Sequence, residues 1–176
     1  MILTPALERY VLHWGEMGTR WGVNRSQAQI HALLYLAGKP LTAEEIAETL
    51  NIARSNVSTS LKELQGWGLV KLTHALGDRR DHFEALTDVW EMFLIIVEER
   101  KQREIDPTLT MLRQCVMEAE ADRATPDEAR LRMAEMLKFL EQMSGWYGEV
   151  RKLPRQTLMG LVRLGSRIAR FVGRLR

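Results

Sequence analysis

The chain has 176 residues, of which 45% are hydrophobic, and its formal net charge at pH 7 is +2. The apolar fraction is ample for a core, and the length suits one domain or one domain with helical extensions. A charge this small does not by itself indicate tight non-specific binding to nucleic acid. Because Cys115 is the single cysteine, no intrachain disulfide can form, and a reducing compartment fits best.

The sequence also lacks targeting signals. Its first ten residues do not combine a basic segment with the long apolar run of a signal peptide. No stretch is long and apolar enough to span a bilayer. We therefore expect a cytoplasmic protein that has no membrane partner.

Signatures of enzymes are missing as well. Neither Gly-x-x-x-x-Gly-Lys nor Gly-x-Gly-x-x-Gly occurs, and no helix carries paired His ligands. His74 and His82 could clasp a metal with nearby carboxylates, but a third clear ligand is missing. We expect no enzymatic activity, no cofactor and no metal.

A first helix is predicted from Thr4 and Pro5, a capping residue followed by proline at the first helical position. Apolar residues then recur at three- and four-residue steps, with Leu7, Trp14 and Trp21 among them. A helix with one apolar side needs a partner. Residues 1–23 are therefore predicted to be an N-terminal dimerisation helix.

The next helices have clear ends. Asn24 caps a helix that stops at residues 38–40, and Thr42 with Glu45 forms a capping box that starts the following one. Asn51 then interrupts the helical pattern before it resumes at Arg54. Two short helices that meet at a tight turn form a helix-turn-helix.

In the second of these helices Val57, Leu61 and Leu64 should face the core. The opposite face carries short hydroxyl and amide groups, which lower helix propensity and so do little for stability. Such a face can enter a DNA major groove and offer hydrogen bonds to bases and phosphates. An ordinary solvated polar face is the alternative.

A hairpin follows this helix. Residues 66–68 end the helix, residues 69–72 and 82–85 are predicted strands, and residues 77–81 form the turn. Arg79 and Arg80 lie at its tip, where an arginine pair suits a phosphate backbone or a narrow minor groove. Because this arginine pair follows the two helices, we interpret it as part of a winged helix-turn-helix and not as an ordinary solvated turn. Residues 24–87 are predicted to form this DNA-binding domain.

These residues resemble the MarR-type regulators, and more closely their GbsR-like branch. The matching stretches are residues 55–59, 68–70, 77–80 and 86–87, and the branch-level likeness comes from residues 21–26 and 83–92. The resemblance implies a mainly α, winged-helix, homodimeric repressor or activator that straddles an inverted repeat in double-stranded DNA. Some GbsR-like members sense choline or related osmolyte precursors, which makes a choline-like effector a possibility.

Eight residues are predicted to contact DNA. One group faces the major groove, and two wing residues hold the flanking backbone or minor groove. The eight are Arg54, Ser55, Asn56, Ser58, Thr59, Lys62, Arg79 and Arg80.

Residues 88–176 are predicted to form a C-terminal helical dimerisation region. Its first helix is apolar nearly all round over residues 89–97, which suggests burial on more than one side at a dimer interface. New helices are predicted at Asp106–Pro107 and, with a capping box, at Thr125–Glu128. The tail is a basic amphipathic helix whose arginine stripe could face water, nucleic acid or anionic lipid, and we favour docking of its apolar side.

An effector would bind between the winged domain and the dimerising helices. Trp14, Trp21 and Trp90 are predicted as an aromatic cage for a quaternary ammonium ion. Ordinary core packing of these rings is the alternative. The chief competing function is a helical adaptor that uses the winged helix for protein contacts or the basic tail for a membrane surface.

Overall fold

The computed structural model describes the backbone of residues 2–173 and the side chains of residues 2–165. Over this range the chain is mainly α-helical with one small sheet, as the sequence predicts. The elements are α1 (Pro5–Arg20), α2 (Arg25–Ala37), β1 (Leu41–Thr42), α3 (Ala43–Leu50), α4 (Arg54–Gly66), β2 (Val70–Thr73), β3 (His82–Ala85), α5 (Val89–Arg100), a π-helical turn (Lys101–Ile105), α6 (Asp106–Ala121), α7 (Asp127–Arg151) and α8 (Arg155–Gly173).

The predicted helix starts before the wing are confirmed. Thr4 and Asn24 cap α1 and α2 through their side-chain oxygens. At α3, the Thr42 amide donates to a Glu45 carboxylate oxygen at 2.7 Å, and the Glu45 amide donates to the Thr42 hydroxyl at 3.3 Å. The hydrogen bond from the Thr42 amide lowers the pKa of the Glu45 carboxyl.

Asn51 makes the turn between α3 and α4. It takes a left-handed conformation with φ of 51°, which asparagine tolerates better than most residues. This turn lets α4 begin at Arg54 in a new direction. Val57, Leu61 and Leu64 of α4 then lie buried in one core with residues of α2 and α3.

The wing is an antiparallel hairpin of β2 and β3. The sheet order is β1-β3-β2, with Leu72 opposite Phe83 and Leu41 on the other side of Phe83. Phe83 and Ala85 point into the core, since both are buried while their neighbours on β3 are partly exposed. The wing tip therefore extends from a strand that is fixed on both sides.

Helix α1 packs on α2 of the same chain through two glycines. A Cβ on Gly18 would lie 2.5 Å from the Cβ of Ala28, and one on Gly15 would meet the Gln29 side chain. Any larger residue at Gly18 would push the two helices apart. The partner of α1 thus includes its own chain, and its role in dimerisation stays a prediction.

Helix α5 is buried on one side only within this chain. Met92, Ile95 and Ile96 pack against the core, whereas Val89 is 62% exposed and Phe93 is 52% exposed. The expected burial on more than one side is therefore not met within one chain. The remaining apolar surface is free for a partner.

The contacts within the chain divide it into two compact units, Met1–Arg100 and Lys101–Arg176. In the second unit α6 packs on α7, with Arg113 donating to Glu141 at 2.8 Å. The capping box predicted at Thr125 is wrong. Its hydroxyl donates to Asp122 at 3.0 Å, and α7 begins at Asp127 without a side-chain cap.

Two further predictions concern the C-terminal region. The helix expected to start at Asp106 does so, but directly after the π-helical turn instead of after a break. Most of the arginine stripe of the tail lies outside the described side chains. The predicted domain boundaries at 23/24 and 87/88, which rest on dimerisation, stay predictions.

Candidate nucleic-acid interface and buried cavity

The exposed face of α4 is small and polar. Arg54, Ser58 and Lys62 are exposed on successive turns of this helix. Ser55 and Thr59 are also exposed, and the Thr59 hydroxyl donates to the Ser55 carbonyl at 3.1 Å. This face agrees with the spacing of Val57, Leu61 and Leu64, which place the opposite side of α4 in the core.

Asn56 has a different environment from the other predicted contacts. Its side chain is half-buried, and its amide nitrogen donates to the Ser26 hydroxyl at 2.8 Å. Ser26 lies in the first turn of α2, where its backbone N–H is held by Asn24. Asn56 therefore ties the start of α4 to the start of α2, and one amide oxygen is left for another partner.

A groove lies between α4 and the wing, and it brings together five of the eight predicted residues. Four basic side chains and the Ser58 hydroxyl line it, with Glu44 and Asp81 as the acidic members. The four are Arg54, Lys62, Arg79 and Arg80. The groove is thus net positive even though the whole chain is nearly neutral.

The wing arginines differ from each other. Arg80 makes a two-nitrogen contact with Asp78, at 3.0 Å from Nε and 2.5 Å from Nη2. These hydrogen bonds hold the pKa of the Asp78 carboxyl well below its usual range. Among the described residues, no ion pair engages Arg79, and its side chain is exposed. Arg79 is free for an external anion, whereas Arg80 is oriented by Asp78.

His82 belongs to the same corner of the wing. Its Nδ1 lies 2.9 Å from the Arg80 carbonyl oxygen, and its Nε2 lies 3.6 Å from Asp78. Nothing here resembles a metal site, since the described side chains contain no group of three or more potential His, Cys, Asp or Glu ligands. The Asp78, Arg80 and His82 contacts instead fix the shape of the wing.

A cavity of about 270 Å³ lies in the first unit and shares no lining residue with the groove. Helices α1, α2 and α5 and the end of α4 enclose it, and aromatic rings form much of its wall. The rings are those of Tyr10, Trp14, Trp21, Tyr35 and Trp67. Trp14 and Trp21 are partly exposed, so the cavity is reached from solvent.

The predicted tryptophan trio is only partly brought together. Trp14 and Trp21 both line the cavity, but Trp90 does not. Trp90 packs against Phe93 with ring centroids 5.6 Å apart, and its indole N–H is buried. Trp67 takes the place in the wall that the sequence prediction gave to Trp90.

Two polar residues of the cavity were not predicted from the sequence. Gln27 is 2% exposed and His31 is 9% exposed, one helical turn apart on α2. Gln27 Nε2 and His31 Nε2 are buried and have no hydrogen-bond partner. Burial lowers the pKa of His31 to about 4. Their i, i+4 spacing beside the apolar Ile30 and Leu34 was the one signal that could have marked them.

Comparison with known proteins shows which family the winged-helix region resembles. The MarR family model matches residues 21–81, which include α2, α3, α4, β2 and the wing turn up to the residue before β3. The HTH-type transcriptional repressor GbsR of Bacillus subtilis (strain 168) is 28% identical over 102 residues, which are 58% of this chain and 54% of that protein. Residues 21–81 thus match the MarR family, and the predicted resemblance to MarR-type, GbsR-like transcriptional regulators is confirmed.

Two further matches cover more of the chain. The putative HTH-type transcriptional regulator YvaV of Bacillus subtilis (strain 168) is 19% identical over 154 residues, 86% of this chain and 87% of that protein. A crystal structure of a transcriptional regulator covers 82% of this chain and 95% of its own, with a TM-score of 0.62 and 18% identity. At that identity the structure supports the fold alone. The match to GbsR spans about half of GbsR's own length.

MarR-type regulators are in general not enzymes. No helix among the described residues is long and apolar enough to cross a membrane.

Proposed function

We propose that this chain is a MarR-type, homodimeric, ligand-responsive repressor that reads double-stranded DNA through α4 and the wing, and that it works in the cytoplasm without enzymatic activity. The observation that carries the proposal is the groove between α4 and the wing. It joins hydrogen-bonding side chains on a helix to basic side chains at a hairpin tip. A helix enters the major groove, and arginines at its side contact phosphates or the minor groove.

The roles divide between the two parts of the interface. Residues on the exposed side of α4 lie at the surface that would face base edges, and we assign them to the major groove. They are Arg54, Ser55, Asn56, Ser58, Thr59 and Lys62. Arg79 and Arg80 hold the flanking backbone or minor groove. Arg54 also pairs with Glu44, so that part of its charge is compensated before DNA arrives.

Substitution of Asn56 tests whether α4 contacts base edges. If its side chain contacts a base edge, Asn56→Ala should reduce discrimination between the preferred site and single-base variants by about 1 to 3 kcal/mol. The measurement is a binding titration of the variant on the preferred duplex and on duplexes with one base pair changed. Affinity for unrelated DNA should change little.

Ser26→Ala is the matched control for this experiment. It removes the same 2.8 Å hydrogen bond but takes no group away from the exposed side of α4. Discrimination should therefore survive in Ser26→Ala. An equal effect of the two substitutions would assign Asn56 to the positioning of α4 alone.

Dimerisation is supported by apolar surface that one chain leaves uncovered. In the first unit Val89 and Phe93 of α5 are more than half exposed. In the second unit Phe139 and Trp146 of α7 are also more than half exposed. A second copy related by a two-fold axis would cover such surfaces and would place two copies of α4 on an inverted repeat.

The cavity is the place we propose for an effector. Aromatic faces attract quaternary ammonium ions, and Tyr10 and Trp14 already form a ring pair with centroids 5.6 Å apart. We therefore propose a choline-like compound as the effector. Since α1, α2, α4 and α5 all contribute to the wall, a ligand there can favour one placement of α4 over another.

Trp14→Leu and Trp21→Leu test this assignment. Each removes a ring from the cavity wall, and the pair together should abolish the response of DNA binding to choline while leaving DNA binding itself in place. Trp90→Leu is the matched control, because Trp90 lies outside the cavity wall. The measurement is DNA affinity with and without choline. A response that persists in the Trp14 and Trp21 double variant would exclude the aromatic cage.

A further inference from the structure

Two residues that line the cavity carry buried polar nitrogens that lack a hydrogen-bond partner among the described residues. They are Gln27 and His31, and the nitrogen concerned is the Nε2 atom of each. Buried polar nitrogens in folded proteins nearly always have a partner, so an orphaned pair needs an explanation. Their i, i+4 positions put the two side chains next to each other on α2. A bound molecule that reaches both would supply the missing hydrogen bonds.

The charges of the wall limit what that molecule can be. Among the described side chains, no Lys, Arg, Asp or Glu lines the cavity. The pKa of His31, lowered to about 4 by burial, leaves its ring neutral at pH 7. An anionic group would therefore be buried without a counter-charge, which is strongly unfavourable. The aromatic rings, in contrast, accept an apolar or a cationic body.

We infer that Gln27 and His31 bind a hydroxyl group of a small ligand whose remaining body, uncharged or quaternary ammonium, packs against the aromatic rings. Gln27 Nε2 can only donate, so it needs an acceptor oxygen. The neutral His31 ring can accept at Nε2, so it needs a donor. A hydroxyl both accepts and donates, whereas an ether or carbonyl oxygen only accepts. The inference rests on the proposed use of the cavity as the effector site.

Three probes of equal size separate the hydroxyl from the cation. Choline has both features, propyltrimethylammonium has the cation without the hydroxyl, and 3,3-dimethylbutan-1-ol has the hydroxyl without the cation. Their affinities for the full-length protein are measured by titration calorimetry. We expect choline to bind about five- to a hundredfold more tightly than propyltrimethylammonium, because the analogue leaves both buried nitrogens unpaired.

Gln27→Met and His31→Leu supply the matched variants. Each removes one polar nitrogen and keeps a side chain of similar bulk. The preference for choline over propyltrimethylammonium should shrink in either variant, with the affinity for propyltrimethylammonium little changed. The ligand comparison in the unaltered protein needs no variant, so it remains decisive if a variant fails to fold.

The outcomes are distinct. Equal affinity of the unaltered protein for choline and propyltrimethylammonium would overturn the inference and leave the proposed aromatic cage standing. Binding of 3,3-dimethylbutan-1-ol but not of propyltrimethylammonium would support the hydroxyl site and overturn the quaternary ammonium effector. Binding of none of the three probes would overturn both.

Discussion

Replacing Arg79 and Arg80 together by alanine should weaken binding to every DNA duplex alike, by about a hundredfold or more. Hydrogen bonds from charged groups contribute about 1.5 to 3 kcal/mol each, and two are removed from each wing. The salt dependence should flatten too, by about one unit of slope for each phosphate that the wing no longer neutralises. The measurement is a salt titration on the preferred site and on a scrambled duplex.

The single variants should differ in a way that the structure dictates. Arg79→Ala removes a side chain that has no ion-pair partner among the described residues. Arg80→Ala does more, since it leaves the Asp78 carboxylate without its arginine partner where DNA phosphates approach. Arg80→Ala should therefore bind DNA more weakly than Arg79→Ala, and adding Asp78→Ala should recover part of the loss.

Arg132→Ala is the control for charge alone, because Arg132 is an exposed residue of α7 in the second unit. Its effect on DNA affinity should be small. A loss in the wing variants that depends on DNA sequence, or an unchanged salt slope, would contradict a backbone or minor-groove role for the wing.

Acidification should destabilise the fold through His31. The folded-state pKa of this residue is about 4, below the ordinary value of 6.5. Above pH 6.5 the ring is neutral in both states, and its contribution to stability is fully present. As the pH falls below 6.5, His31 becomes protonated in the unfolded chain, whereas in the folded chain it stays neutral until about pH 4. The free energy of unfolding should thus fall by about 2 kcal/mol from pH 7 to pH 5 and about 3 kcal/mol by pH 4.

His31→Leu isolates this contribution. The variant should lose much less stability between pH 7 and pH 5, although its stability at pH 7 can differ from that of the unaltered protein. Urea unfolding at a series of pH values and one fixed protein concentration gives both curves. The lowered pKa of the Glu45 carboxyl acts in the same direction but only at lower pH, below its ordinary value of 4.5. Parallel curves for the two proteins would show that folding does not lower the pKa of His31.

Much of the fold can be predicted from the sequence because it depends on interactions between residues that are close in the chain. The Thr42 and Glu45 capping box involves residues three positions apart, so the spacing alone predicts it. Val57, Leu61 and Leu64 likewise mark the buried side of α4 by helical period. Gly77 has φ of 83°, a conformation that favours glycine, and it lies in the turn predicted between the two wing strands.

Some features could not be predicted from the sequence. They depend on contacts between residues that are distant in the chain, or on competition between side chains for one hydrogen-bonding group. Ser26 and Asn56 are 30 positions apart, and nothing in either segment indicates their hydrogen bond. The cavity requires α1, α2, α4 and α5 to be in place, so the positions of Gln27 and His31 in its wall could not be predicted from local pattern. At Thr125 the capping pattern is present in the sequence, but the Thr125 hydroxyl donates a hydrogen bond to the Asp122 carboxylate instead.

The central claim is that the α4 and wing groove reads DNA in a dimer. Selection of bound fragments from random double-stranded DNA by the full-length protein tests it most directly, with the Arg79 and Arg80 double variant alongside. We predict enrichment of an inverted repeat with half-sites about one helical turn apart, and a much lower recovery of the same repeat by the variant. No enrichment, with and without choline and with a dimer present in solution, would contradict the claim and favour an adaptor that uses the winged helix for protein contacts.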